Sequence, residues 1–288
     1  MKIQSLSVCV PVKKCINNCN FCVSRLHENN YLNQIEKNED FHSLYQEDYL
    51  KRLRFAKDNN CNTIVLTGTG EPLQNIKFLE NFAIWNKMLF SSFHWIELQT
   101  SGVLLSEENL KFLRQTVGVS TIALSVSDLL NDENNAEIMG ISEKLRFNLD
   151  DICKKIKKYD FNLRLSINLL NQYDIETIFI YIKSLNVDQV VFRKMYYNQF
   201  ESSEIDKWIM DNKCSDEYLS KLKNYIQECG EPINILPFGA TQYSLDGLSV
   251  VLDDNCMSED LNDTIRYLIL RENCRLYFKW QDKSSLIF

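Results

Sequence analysis

Three cysteines fall within eight residues of this chain, in the run Cys15-Ile16-Asn17-Asn18-Cys19-Asn20-Phe21-Cys22. They come directly after a strand-like stretch, residues 3–10, so they occupy a loop that can wrap one metal centre. Three ligands rather than four is the informative count. A closed structural site takes four protein ligands, whereas three leave a coordination position open for another molecule. Zinc completed by a distant Cys or His, and free thiols, are the other readings of the same residues. A zinc loop more often shows paired Cys-x2-Cys elements, and the chain has no second such pair.

A second constellation follows the next strand-like stretch, residues 63–67: Thr67-Gly68-Thr69-Gly70-Glu71-Pro72. Two of only eight glycines lie within three residues here, beside one of only four prolines. Glycine lets backbone approach a ligand closely. On its own this is an ordinary turn at a strand end. Its place one strand–helix unit after the cysteines makes it a candidate binding edge.

The elements that must position these residues alternate. Strand-like stretches at residues 3–10, 63–67, 94–100, 121–126, 161–169 and 189–193 are separated by helical ones at 47–59, 75–89, 107–115, a Lys-rich segment ending near Tyr159, and 175–185. Ser106 is a plausible N-cap. Six such units predict a parallel sheet with right-handed crossovers, in a barrel or a partly open barrel. Side chains alternate across a strand. Glu97, Gln99 and Ser101 therefore share a face opposite Ile96 and Leu98, and Ala123, Ser125 and Ser127 oppose Ile122, Leu124 and Val126. Arg164, Ser166 and Asn168 likewise oppose Leu163, Leu165 and Ile167. The polar faces would converge on the lumen, giving a cavity able to hold a charged ligand. An open sheet with one solvated face is the alternative.

The spacing Cys-x3-Cys-x2-Cys, with Phe21 before the last cysteine, resembles the signature of the radical S-adenosylmethionine superfamily. Gly68-Thr69-Gly70-Glu71-Pro72 resembles its Gly-Gly-Glu-Pro element, with Thr69 between the glycines. The resemblance covers about residues 3–195. It implies an α/β fold, a partial (β/α)6 barrel. It implies one [4Fe-4S] cluster on Cys15, Cys19 and Cys22, whose fourth iron is chelated by S-adenosylmethionine. An electron from the cluster would cleave that cofactor to methionine and a 5′-deoxyadenosyl radical that abstracts hydrogen. Phe21, Gly68, Thr69, Gly70 and Glu71 become cofactor contacts, with Glu71 and the turn's backbone edge facing the methionine ammonium. Ser101, in Gln99-Thr100-Ser101-Gly102, matches the family's polar strand end, and Ser125 and Asn168 match its ribose or carboxylate contacts. The reductant would be a flavodoxin or ferredoxin.

The 288 residues are 45% hydrophobic and 11% aromatic, which favours a folded core, and carry a net charge of −7. An acidic chain has no general field for a nucleic-acid backbone. No apolar run is long enough for a membrane helix, and the N-terminus is too polar for a signal peptide, so a cytoplasmic location is expected. Ten cysteines in the cytosol are not a disulfide framework. The seven outside the loop, Cys9, Cys61, Cys153, Cys214, Cys229, Cys256 and Cys274, form no Cys-x2-Cys pair and read as core thiols.

Residues 1–200 read as the barrel and 201–288 as an α+β appendage that covers it and helps bind substrate. The appendage would hold two helices, a strand at 233–237, a hairpin turning at Leu245-Asp246-Gly247-Leu248, another helix and a final strand at 275–280. Glu97, Arg164, Asp246, Asp253 and Asp254 are the candidate substrate contacts. Tyr196, Tyr197, Phe238, Tyr243 and Trp280 add aromatic surface suited to a flat heterocycle. By overall size, the long loop 23–45 and a tail without an auxiliary cluster, the chain is similar to bacterial queuine lyases. That implies a lyase releasing 7-aminomethyl-7-deazaguanine (preQ1) from the free base queuine in queuosine salvage. A glycyl-radical activase or a peptide-modifying enzyme is the alternative, and a non-catalytic metal-binding module is a third.

Overall fold

Strands β1 (Lys2–Cys9), β2 (Thr63–Thr67), β3 (Trp95–Thr100), β4 (Thr121–Val126), β5 (Asn162–Asn168) and β6 (Gln189–Arg193) form where β-branched and apolar residues recur at every second position. The computed structural model describes residues 2–26, 41–195, 197, 203–236, 239–253, 264–280 and 283–288. Between these strands run α1 (Val23–Leu26), α2 (Phe41–Leu44), α3 (Gln46–Asp58), α4 (Ile76–Lys87), α5 (Glu107–Phe112), α6 (Asp132–Ile138), α7 (Leu149–Lys158) and α8 (Ile175–Ser184). Side-chain caps mark the starts of several of them. Asn75, Ser106, Asn148 and Asp174 each accept a hydrogen bond from the backbone N–H three residues on. In α7, Asp150 and Asp151 lie in the first turn and Lys155, Lys157 and Lys158 in the last, which complements the helix dipole.

The six strands pair in parallel in chain order. The sheet is not closed. After α9 (Glu204–Asn212) and α10 (Asp216–Cys229) come β7 (Glu231–Ile235), β8 (Thr241–Leu245), β9 (Leu248–Asp253), β10 (Thr264–Leu270) and β11 (Leu276–Tyr277). The C-terminal strands join the barrel sheet: β9 pairs parallel with β6, and β10 pairs parallel with β1. Antiparallel strands β8 and β7 follow β9, and β11 follows β10. β8 and β9 form the expected hairpin, whose Asp246 (φ 51°) and Gly247 (φ 85°) take the two positive-φ positions of a tight two-residue turn.

β10 corrects the sequence reading, which puts a helix between this hairpin and the last strand. Thr264-Ile265-Arg266-Tyr267-Leu268-Ile269-Leu270 is a short apolar run, and periodicity alone does not separate a buried strand from a helix at that length. The open edge of β1 decides the matter, taking backbone pairing from Lys2↔Thr264 to Val8↔Leu270. The final strand is also shorter than the expected 275–280, because only Leu276 and Tyr277 pair with β10.

One face of the sheet is apolar and lies under the helices. Leu6, Ile64, Leu66, Leu98, Ile122, Leu163, Val190, Phe192, Val250 and Leu268 are fully buried there, against residues such as Tyr49 and Leu53 of α3 and Phe78, Phe82 and Trp85 of α4. Tyr49 stacks on Trp85 with ring centroids 4.6 Å apart. The other face is polar and concave. β9 and β10 bound the parallel set on opposite sides, yet Asp253 of β9 and Arg266 of β10 form an ion pair at 3.3 Å. The sheet therefore curls almost round, and a side-chain pair spans the seam where backbone pairing stops. Among the described residues, no helix is long and apolar enough to cross a membrane.

Leu268 has no exposed surface and sits mid-strand in β10. Leu268→Ala should destabilise the protein by about 2–4 kcal/mol in chemical denaturation. A loss below about 0.5 kcal/mol, the range of surface substitutions, would mean that β10 is not built into the core.

Candidate active site

Parallel pairing brings the C-terminal ends of β1, β2 and β3 to one rim. The thiol loop leaves β1 there and is fixed on several sides. Gln74 Nε2 donates to the Lys14 carbonyl (3.0 Å) and Gln74 Oε1 accepts from the Ile16 N–H (2.9 Å), so a single side chain brackets Cys15. On the opposite flank, Asn18 N donates to Gly140 O (3.3 Å) and Asn20 N to Ile138 O (3.0 Å). Gly140 adopts φ 57°, and a Cβ there would run into the Asn18 carbonyl. Arg25 donates to Asn18 Oδ1 (2.6 Å) and to the Cys19 carbonyl. Phe21 packs with Ile138, Leu170, Met195 and Ile209, and its ring centroid lies 6.4 Å from that of Trp208 on α9.

Cys15, Cys19 and Cys22 are free thiols, half-buried on this loop. Burial pushes the Cys19 thiol up to about 12, with Cys22 and Cys15 adding to the effect, and burial also raises Cys15. Thiolates placed here need positive charge beside them. Among the described residues, no three Cys, His, Asp or Glu side chains converge closely enough to share a single metal ion. In an iron–sulfur cluster each thiolate ligates a different iron, so the three need not meet at one point. The residues present therefore fit a [4Fe-4S] centre with one iron left without a protein ligand.

The Gly-rich turn packs under this loop. A Cβ on Gly70 would lie 2.9 Å from Val12 Cβ and 3.5 Å from Cys15 Cα, so glycine is what allows turn and loop to touch. Glu71 is buried, and its carboxylate accepts from Thr100 Oγ1 (2.6 Å), Ser101 N (2.9 Å) and Ser101 Oγ (2.7 Å). Burial raises its pKa, and these three bonds pull the other way. The carboxylate thus ties the turn to the end of β3 and fixes Ser101. Gly68 and Thr69 line the cavity on the concave face. Ser125 is half-buried in β4 beside Ser166 of β5, and Asn168 donates to Ser127 Oγ (3.1 Å).

That cavity holds about 580 Å³ and is lined by residues from both halves of the chain, including Ser24, Thr69, Glu97, Arg164, Asp253 and Trp280. Glu97 and Arg164 form an ion pair. Gln99 Nε2 donates to Glu97 (3.2 Å), and Thr67 Oγ1 donates to Gln99 (3.1 Å), so a polar chain crosses the lumen from β2 to β5. Asp253 is 3% exposed; one oxygen meets Arg266 and the other, Oδ1, has no hydrogen-bond partner among the described residues. Arg193 lies opposite Asp253 in the β6–β9 register. Its side chain lines the cavity and makes no hydrogen bond or ion pair among the described residues. Burial and the neighbouring Arg193 charge lower Arg164 to about 10, which leaves it protonated at neutral pH.

Asp246 does not join the site. It precedes β9, at the sheet end opposite the thiol loop, where it is exposed and pairs with Lys183 at 2.5 Å. Asp254, Tyr196, Phe238 and Cys256 lie outside the described residues. Gln74, Gly140 and Arg193 escape the sequence reading. Glycine is scarce enough in this chain to mark Gly140. The alternation that singles out Arg164 extends to Gln189, Val191 and Arg193 of the next strand. No spacing rule marks Gln74.

A sequence model of the Radical SAM superfamily matches residues 9–188, more than half of the chain. The chain belongs to the radical SAM superfamily, whose members bind a [4Fe-4S] cluster and S-adenosylmethionine. Among solved structures, Streptococcus suis SuiB bound to S-adenosylmethionine aligns with a TM-score of 0.61 and 14% identity, over 97% of this chain and 60% of that one. Native anSMEcpe with bound AdoMet aligns with a TM-score of 0.63 and 15% identity, over 98% of this chain and 76% of that one. At these identities the likeness speaks to the fold. The chain spans about 60% of the length of SuiB. A search of curated proteins gives no match.

Removing the supports of the loop should loosen the cluster without unfolding the protein. Gln74→Ala and Gly140→Val, reconstituted anaerobically, should retain less than about half of the wild-type iron, since each removes two or more bonds worth about 1 kcal/mol apiece or forces a clash. Circular dichroism should stay unchanged. Full iron retention in both variants would contradict this account of the loop.

Proposed function

We propose that the enzyme acts on a free 7-deazapurine base, queuine, and cleaves it to 7-aminomethyl-7-deazaguanine as a cytoplasmic lyase of queuosine salvage, with a flavodoxin or ferredoxin as reductant. The observation that carries this reading is the pairing of Asp253 with Arg193 on adjacent strands of one cavity, each with hydrogen-bonding capacity left over. A guanine-like edge presents N–H donors at N1 and the exocyclic amine beside a carbonyl acceptor. A carboxylate and a guanidinium side by side complement that edge, and charge-assisted bonds of this kind are the strong ones.

Cys15, Cys19 and Cys22 hold the cluster in this reading, and the turn from Gly68 to Glu71 with Ser101, Ser125 and Asn168 holds S-adenosylmethionine. Together these groups supply reductive cleavage of the cofactor to a hydrogen-abstracting 5′-deoxyadenosyl radical. The chain's own part is positional. Asp253 accepts from the base and Arg193 donates to its carbonyl. Glu97 and Arg164 neutralise each other, so the cavity wall between cofactor and base carries no unpaired charge. Residues 201–288 help to bind the base, since Gln242, Ser249, Asp253 and Trp280 line the cavity. Ser24 and Thr69 border the same cavity, which supports a reading in which the base lies near the cofactor, as radical transfer requires.

The test is turnover. Reduced, cluster-loaded enzyme should form 5′-deoxyadenosine above background with queuine, and release the aminomethyl-deazaguanine in step with it. SuiB has been crystallised with the precursor peptide SuiA and anSMEcpe with a Cp18Cys peptide, so peptides belong in the panel. Turnover of a peptide with queuine inert would refute the proposal. Asp253→Asn should lower kcat/KM for queuine at least about tenfold, because it replaces an ionised acceptor in a buried bond. Unchanged kcat/KM would remove Asp253 from the site.

A further inference from the structure

The chain that leaves the thiol loop turns a hydroxyl back onto one of its sulfurs. Ser24 lies in α1, two residues after Cys22. Its Oγ is 2.9 Å from Cys22 Sγ, and the same hydroxyl reaches the Thr69 carbonyl at 3.4 Å. Among the described residues, no other side chain hydrogen-bonds a sulfur of the loop. The segment is held in place on both sides of Ser24. Arg25 N donates to the Cys22 carbonyl (3.0 Å), and the Arg25 guanidinium donates to Asn18 and to the Cys19 carbonyl. Ser24 itself is half-buried in the cavity wall.

A serine hydroxyl has one proton to give. While Cys22 is a thiol it can donate to Ser24, and Ser24 in turn to Thr69. A thiolate that ligates iron has lost its proton and only accepts. Ser24 then faces two acceptors with one proton, and the nearer acceptor carries the charge. Charge-assisted hydrogen bonds are the stronger kind, so the hydroxyl turns to the sulfur. Half-burial lowers the local dielectric and strengthens the bond further. Hydrogen bonds to the sulfurs help to set the potential of an iron–sulfur cluster. Reduction adds negative charge to the cluster and its sulfurs, so a donor there stabilises the reduced state more than the oxidised one. We propose that Ser24 acts through Cys22 to raise the reduction potential of the cluster, which eases the electron transfer that precedes cofactor cleavage. This rests on Cys22 being a cluster ligand and is independent of the substrate's identity.

The experiment is a redox titration. Full-length wild type, Ser24→Ala and Ser24→Thr are reconstituted anaerobically, and the electron paramagnetic resonance signal of the reduced cluster is followed against potential without S-adenosylmethionine. Iron content is recorded alongside. Ser24→Ala should be about tenfold harder to reduce, a fall of about 59 mV in midpoint potential for one electron. Ser24→Thr keeps the hydroxyl and should stay within about twofold of wild type, about 18 mV on the same scale. An unchanged or higher potential in Ser24→Ala, or an equal fall in Ser24→Thr, overturns the proposal. If Ser24→Ala loads no iron, Ser24→Val takes its place and is compared with Ser24→Thr, which has nearly the same shape. The valine variant should then be the harder to reduce, and equal potentials overturn the proposal there too. No cluster signal from wild type would overturn the cluster site itself and this proposal with it, a result distinct from equal potentials.

Discussion

Parallel strand pairing is the constraint on which the rest of the molecule depends. Because eight consecutive strands of the sheet run the same way, their C-terminal ends share one rim. Segments distant in sequence meet there: the thiol loop after β1, the Gly-rich turn after β2, Ser101 after β3 and Asp253 at the end of β9. Helices cover the outside because crossovers between parallel strands must run over a face. The inner face is then free to be polar, and its ion pairs and hydrogen bonds replace the apolar filling of a closed barrel.

The electrostatics of the rim follow from burial. Charges that leave water need partners, and breaking a buried pair costs about 3–5 kcal/mol. Glu97 with Arg164 and Asp253 with Arg266 satisfy that requirement within the protein. Glu71 satisfies it with three hydrogen-bond donors from the end of β3. What remains unsatisfied is informative for that reason. The free oxygen of Asp253 and the Arg193 side chain both belong to the cavity beneath the rim.

Much of this was legible in the sequence, and the misses have physical causes. Cysteine spacing, the Gly-Thr-Gly turn and the period-2 alternation of β3 to β5 are local patterns, and each survives in the fold. The lumen-facing set Glu97, Gln99 and Arg164 was readable because alternation needs only one strand at a time. Asp246 and Asp253 could not be told apart by sequence, since which end of β9 faces the rim depends on whether that strand pairs parallel or antiparallel with β6. β10 was misread because its helix or strand character is settled by the free edge of β1, more than 250 residues away in the chain. Gln74 acts through a long-range contact with the loop backbone and has no local signature at all.

The central claim is that Cys15, Cys19 and Cys22 present a cluster with one open iron to a cofactor held at the adjacent turn. Electron paramagnetic resonance of the reduced, iron-loaded protein tests it most directly, recorded before and after addition of S-adenosylmethionine. The account predicts a [4Fe-4S] signal whose g values shift when S-adenosylmethionine is added. A signal that S-adenosylmethionine leaves unchanged, or no cluster signal from protein that binds zinc in its place, would contradict it.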